Sequence, residues 1–317
     1  MPAYAVELAP IQLAPAAIGA FAYWRRAKTL RERGHAVAAW RQWCWYGGVA
    51  LGVATLVGLG RLSDQLFLAH MVEHLLIADL GALLLVLGLT GPLLQPILAV
   101  PALAWLRVFT HPVVAISVWA VDFYVWHLPA LYQGAVQNDY VHALEHMMFV
   151  ACGMAMWMAL LGPLPKPAWF GNGARLGYII AVRLIETVLA NVLLWSTTEF
   201  YPRYAAGERL WRVRPLADQG IAGAIMMVEG SLVTICLFGW LFWRAARESD
   251  ERQELVELAA ARGVELSEQR AARAVAAGRG DALRRRILDA GAGGSGGAAA
   301  GRAGPVQFQA SEERSAQ

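Results

Sequence analysis

Apolar runs of about 20 residues recur along this chain, and its charges fall mostly in the short stretches between them. A run of that length and composition matches a helix that crosses the hydrocarbon of a bilayer. In lipid every backbone N–H and C=O must be satisfied within the protein, and a helix does so within one segment. Of 317 residues, 57% are hydrophobic and only 16% are charged, whereas a soluble domain carries roughly 25% charged residues. The expected fold is therefore all-α, a polytopic membrane helix bundle. Its surroundings are a lipid bilayer, and no nucleic-acid partner is expected.

About seven transmembrane helices are expected. They run from about Leu8 to Trp24, Trp43 to Leu59, Leu66 to Leu89, Pro112 to Leu128, Tyr140 to Leu161, Leu176 to Trp195 and Leu216 to Trp243. The first run holds Pro10 and Pro15 and has no positive charge before it, so it does not read as a secretory signal. The loop after it carries Arg25, Arg26, Lys28, Arg31, Arg33 and Arg41 against Glu32 alone. Positive loops stay in the cytoplasm, which puts the N-terminus outside and the end of the last span, at Arg244 and Arg247, inside. The loop with Arg203, Arg209, Arg212 and Arg214 argues the other way, but Glu199 and Glu208 offset part of its charge.

Two domains follow. Residues 1–243 form the membrane domain, and residues 244–317 form a cytoplasmic tail. In the tail, Glu251 to Ala290 is rich in Ala, Arg, Glu and Leu and reads as helix, while Gly291 to Gly304 is Gly/Ala-rich and reads as disordered. Cys44, Cys152 and Cys236 lie inside apolar runs, which is neither a disulfide framework nor a Cys-x-x-Cys metal site.

Five of the seven histidines fall in two places. His70 and His74 open the third span in the pattern His-x-x-Glu-His. The same pattern, His142 to His146, opens the fifth span, and His127 ends the fourth. With the stated topology all five lie at the outer face. Histidines at i and i+4 share one helix face, about 6 Å apart along the axis, so both imidazoles of a pair can reach one ion. A lone interfacial histidine is usually a hydrogen-bonded surface group, but five ionisable groups at one depth mark a functional site. The candidate metal ligands are therefore His70, His74, His127, His142 and His146.

Glu73 and Glu145 are candidates to orient the imidazoles from behind. Met71 is a candidate soft neighbour, and thioether sulfur favours monovalent copper. Asp218 and Gln219 open the seventh span beside the same cluster, although Asp218 can equally cap a helix. Arg183 and Glu186, three apart in the sixth span, read as an ion pair. His35 and His111 stand outside the cluster.

The motifs His70-Met-x-x-His74, Trp126-His127-x-Pro129, His142-x-x-x-His146 and Asp218-Gln219-x-x-x-Gly223, in this order on seven spans, resemble the CtaG-like family of multi-span bacterial cytochrome c oxidase assembly factors. The resemblance covers about Leu8 to Trp243. The chain departs from the family pattern at Ala222, where a paired glycine is usual, and at Met227, where a tryptophan is usual. The resemblance implies a bacterial cytoplasmic (inner) membrane protein that is not an enzyme. It implies copper as the bound metal, with cytochrome c oxidase subunits and a periplasmic copper chaperone as partners.

Two other readings of the residues stand beside it. In one, a pair of histidines on different helices ligates haem in a membrane redox protein. In the other, His-x-x-Glu-His is the inverzincin signature of a metalloprotease, with the glutamate as general base.

Overall fold

A computed structural model describes residues 10–276 and 278–294. Thirteen α-helices follow one another there, and no strand occurs among the described residues. They begin with α1 (Pro10–Glu32) and α2 (Ala39–Ser63). Next, α3 (Phe67–His74) continues through a π-helical turn (Leu75–Gly81) into α4 (Ala82–Gly88), which makes one rod. The proline-rich connection folds as α5 (Gly91–Leu98) and a 3-10 stretch (Pro101–Thr110). Then come α6 (Pro112–Trp126), α7 (Pro129–Gln137), α8 (Asp139–Leu161) and α9 (Asn172–Trp195). The described chain ends with α10 (Ala205–Trp211), α11 (Pro215–Ala261), α12 (Glu268–Ala276) and α13 (Gly280–Gly294).

Five helical stretches are long and apolar enough to cross a membrane: Ala39–Ser63, Phe67–Gly88, Asp139–Leu161, Asn172–Trp195 and Pro215–Ala261. The count is six if α6 and α7, bent by 72° to each other, form one broken span. The protein is thus an all-α polytopic membrane protein. The first expected span, from about Leu8 to Trp24, belongs to α1, which does not qualify. Arg25, Arg26, Lys28, Arg31 and Glu32 occupy its C-terminal part and leave too short an apolar run. Leu8 itself lies outside the described residues.

Local chemistry explains the breaks. Proline stands in the first turn of α5, α6 and α7, where its missing N–H has no helical partner to lose. Pro129 also forces Leu128 into extended backbone (φ −64°, ψ 129°), so α6 stops and the chain turns. At the start of α8 the Asn138 side chain accepts hydrogen bonds from the N–H groups of Tyr140 and Val141, the usual way an N-cap satisfies the first turn.

The chain divides into two compact units after Leu237. The boundary expected at residue 243 falls inside α11, which runs on unbroken to Ala261. In the second unit Leu255 and Ala259 of α11 bury against Val275 of α12 and Ile287 of α13. The tail up to α13 is therefore helix with a small core of its own. The Gly/Ala-rich stretch expected to be disordered lies, from residue 295 on, outside the described residues.

In the first unit, α8 and the π-helical turn approach until backbone touches backbone. A Cβ added at Gly153 would lie 2.3 Å from the Ala78 carbonyl oxygen, so only glycine fits there. Small residues at such crossings are how membrane helices come close. We expect Gly153→Leu to lower the melting temperature in detergent, by the equivalent of about 1–3 kcal/mol for overpacking. Gly134 of α7 has nothing within 4 Å of such a Cβ, so Gly134→Ala should leave melting unchanged or raise it slightly.

Candidate metal centre

The rod beginning with α3 and helix α8 both start at one end of the bundle and run in the same direction. His70 faces His142, His74 faces His146, and further along Asp79 accepts a hydrogen bond from the Trp157 indole (2.9 Å). The two His-x-x-Glu-His segments therefore meet side by side. His70, His74, His142 and His146 each offer a ring nitrogen, and these four atoms all lie within 4.8 Å of one another. Ring centroids within each pair are 4.3 and 4.4 Å apart, and across the helices 5.0 and 5.2 Å.

The two glutamates cross over. Glu145 Oε2 on α8 stands 4.0 Å from Nε2 of both His70 and His74. Glu73 Oε1 on α3 stands 4.0 Å from Nε2 of His146. Both carboxyls are fully buried. Neither oxygen of Glu145 has a hydrogen-bond partner, nor does Glu73 Oε2. His70, His74 and His146 are buried as well, and although His142 is only partly so, its Nε2 is enclosed without a partner.

A metal ion fits this donor set. Buried polar atoms are normally paired, and each exception needs an explanation. Ligands of a tetrahedral ion with bonds of 2.0–2.1 Å sit about 3.3 Å apart, which the group reaches with small side-chain movements. His70 Nε2 and His74 Nε2 are already 2.8 Å apart. The two carboxylates can offset the charge of a cation in a place where an isolated charge is costly.

Residues not singled out in the sequence hold the site in place. The Tyr204 hydroxyl lies 3.0 Å from His70 Nδ1, and the Tyr132 hydroxyl lies 3.2 Å from that of Tyr204. When His70 Nε2 binds an ion, its Nδ1–H is free to donate to Tyr204, the arrangement that fixes a metal-bound imidazole. Tyr201 donates to the His127 carbonyl (2.8 Å) and stacks on Phe67, 4.4 Å between centroids. These tyrosines sit in or beside polar loops, and nothing in their spacing sets them apart.

The other expected residues lie elsewhere. Asp218 accepts from the backbone N–H groups of Phe67 and Leu68 (2.8 and 3.0 Å), so a residue of α11 caps α3 across the fold. Gln219 accepts from Phe200 N–H and donates to the Thr198 carbonyl, which pins the loop before α10. Met71 and His127 border a cavity beside the four histidines and are not part of that group. His35 and His111 are also apart from it, His35 on the Arg33 carbonyl and His111 against Trp169. Arg183 and Glu186 form their expected ion pair at 3.7 Å.

In the loop beside the site, Glu208 is buried on α10 with Oε2 unpaired. Burial pushes its carboxyl up to about 7, with Asp218 and Glu199 adding to the rise and Arg209 opposing it.

Residues 21–248 match the family of cytochrome c oxidase caa3 assembly factors (Caa3_CtaG). Among individual relatives, uncharacterized proteins of Mycobacterium bovis, Mycobacterium tuberculosis and Mycobacterium leprae are each 26% identical to this chain over 239 residues. The match covers 69% of this chain and 36% of each relative, so the chain spans about a third of their length. No solved structure matches it. The chain belongs to the family of cytochrome c oxidase caa3 assembly factors.

The tyrosine support gives a test. Tyr204→Phe leaves His70 Nδ1 buried without its partner, and loss of such support typically costs 10–100-fold in metal affinity. We expect that loss in a competition titration, with the helical circular dichroism signal unchanged.

Proposed function

We propose that this protein assists the assembly of cytochrome c oxidase by binding copper at the four-histidine centre and delivering it to an oxidase subunit. The observation that carries this reading is the meeting of two His-x-x-Glu-His segments on parallel membrane helices, in a chain of this family. His70, His74, His142 and His146 hold the ion through neutral imidazole nitrogens. Glu73 and Glu145 balance its charge, and Tyr204 keeps His70 turned toward it. His142 is the least buried of the four and is the ligand through which copper enters and leaves.

The basic stretch before α2 and the Arg244 flank of α11 favour the centre at the outer face of the bacterial inner membrane, with the C-terminus in the cytoplasm. Because α1 is not a span, they do not argue for an N-terminus outside. A periplasmic copper chaperone would load the site there, and an oxidase subunit would unload it. Residues 1–243 carry this function, and the tail beyond them is an appendage on the cytoplasmic side. Copper is cargo in this scheme, handled stoichiometrically and without turnover.

Haem is the poorer reading of the same histidines. A porphyrin ligated by two of them must slide between their rings, and here neighbouring rings on the same helix and across the two helices pack 4.3–5.2 Å apart. The protease reading needs a metal position open to substrate, and the four imidazoles close on each other.

The test is metal content and visible spectrum of the detergent-purified protein beside a His70→Ala/His142→Ala variant. The expected result is about one copper at the four-histidine centre of the parent, at least tenfold less there in the variant, and no Soret band in either. Cells carrying only the variant should make oxidase with at least tenfold less copper. A Soret band lost in the variant would replace this reading with the haem one.

A further inference from the structure

His127 is set apart from the four histidines, and its surroundings have the makings of a second binding place. The bend between α6 and α7 leaves its Nδ1 2.6 Å from the Phe123 carbonyl oxygen. A carbonyl can only accept, so Nδ1 carries the ring proton and Nε2 presents a lone pair. That Nε2 is buried with no hydrogen-bond partner, in a residue only 7% exposed. A metal-binding imidazole is oriented in this way, by a backbone carbonyl on its other nitrogen.

His127 lines a cavity of about 50 Å³. The volume accommodates a cation together with a water molecule. Met71 and Met226 line the same cavity, 1% and 4% exposed, and Asp79 and Glu186 line it too. His74 belongs to both places. Its Nε2 faces His70 and Glu145, while its Nδ1 is buried and unpaired and the residue forms part of the cavity wall.

We propose that this cavity is a second copper position, selective for Cu(I), built from His127 Nε2 and the thioethers of Met71 and Met226. The donor types decide the selectivity. Thioether sulfur is soft and suits Cu(I), whereas Zn and divalent copper take imidazole as readily without it. Of the two acids in the wall, Glu186 is already paired with Arg183, so Asp79 is the one placed to offset a cation's charge in the low-dielectric interior. With His74 between them, the two positions can exchange one ion in one oxidation state, so no electron donor is required. The inference rests on the reading that this chain handles copper, and it names the oxidation state of that copper.

The test uses the full chain in detergent, with Cys44→Ser, Cys152→Ser and Cys236→Ser so that sulfur ligation can come only from methionine. Cu(I) is titrated anaerobically against a chromogenic Cu(I) chelator, and X-ray absorption at the copper edge identifies the ligands. Co(II), read by its visible bands, reports the four-histidine centre separately. The expected result is two Cu(I) per chain with copper–sulfur scattering. Met71→Leu/Met226→Leu, a substitution of similar volume, should abolish that scattering and weaken one of the two ions at least tenfold, while the Co(II) bands remain. His127→Ala should weaken the same ion. One Cu(I) per chain with nitrogen ligands only, unaltered by the methionine variant, would overturn the second position and leave the proposed function standing. Absence of copper at both positions would overturn the two together.

Discussion

The close approach of α8 to the rod that begins with α3 is the constraint on which the rest depends. Gly153 lets the helix backbones touch at Ala78, and the helices run parallel, so equivalent positions stay level along their length. Two identical five-residue patterns then present four imidazoles and two carboxyls to one another. Antiparallel helices with the same sequences would have put the pairs at opposite ends of the bundle. The centre is thus a product of topology as much as of residue type: both helices enter the bundle from one end, and a glycine removes the side chain that would hold them apart.

Bringing six polar groups together in an apolar interior is unfavourable unless they are oriented and balanced. The surrounding elements supply the orientation. Asp218 satisfies two N–H groups at the start of α3 that have no helical acceptor, and thereby anchors the helix one turn before His70. Tyr204, backed by Tyr132, meets the far nitrogen of His70. Gln219 ties the loop that carries Tyr201 and Tyr204 to α9 and α11. The pair Asp218-Gln219 acts as scaffold, Asp218 holding the helix that bears His70 and His74 and Gln219 holding the loop that bears the tyrosines.

Much of this was legible in the sequence because it rests on local periodicity. The apolar runs from about Leu66 to Leu89 and Tyr140 to Leu161 coincide with spans of the structure, and the i, i+4 spacing put each histidine pair on one helix face. What escaped the sequence depends on long-range contacts. Asp218 has the signature of a cap, but a one-dimensional pattern assigns it to its own helix and not to α3, 150 residues away. His127 is close in sequence to His142, yet the break at Pro129 turns it into a separate cavity. Tyr204 has no motif around it. Asp79 and Glu229 are single acids in apolar runs, and only the packing shows that they lie against each other near Arg183 and Glu186.

The π-helical turn connects these observations. It begins at Leu75, the residue after His74, and includes Asp79. In a regular α-helix, with about 3.6 residues per turn, a side chain five positions on points about 140° away round the axis. In a π turn the hydrogen bonds run from i to i+5, so position five returns over nearly the same face. Asp79 is thereby swung round to the side of His74, and both line the cavity that His127 also lines. Such turns are rare and gather at functional sites. Here its geometric effect is specific: it extends the polar face of one helix from the histidines to an acid deeper in the bundle. A regular helix of the same sequence would have turned that acid toward other neighbours.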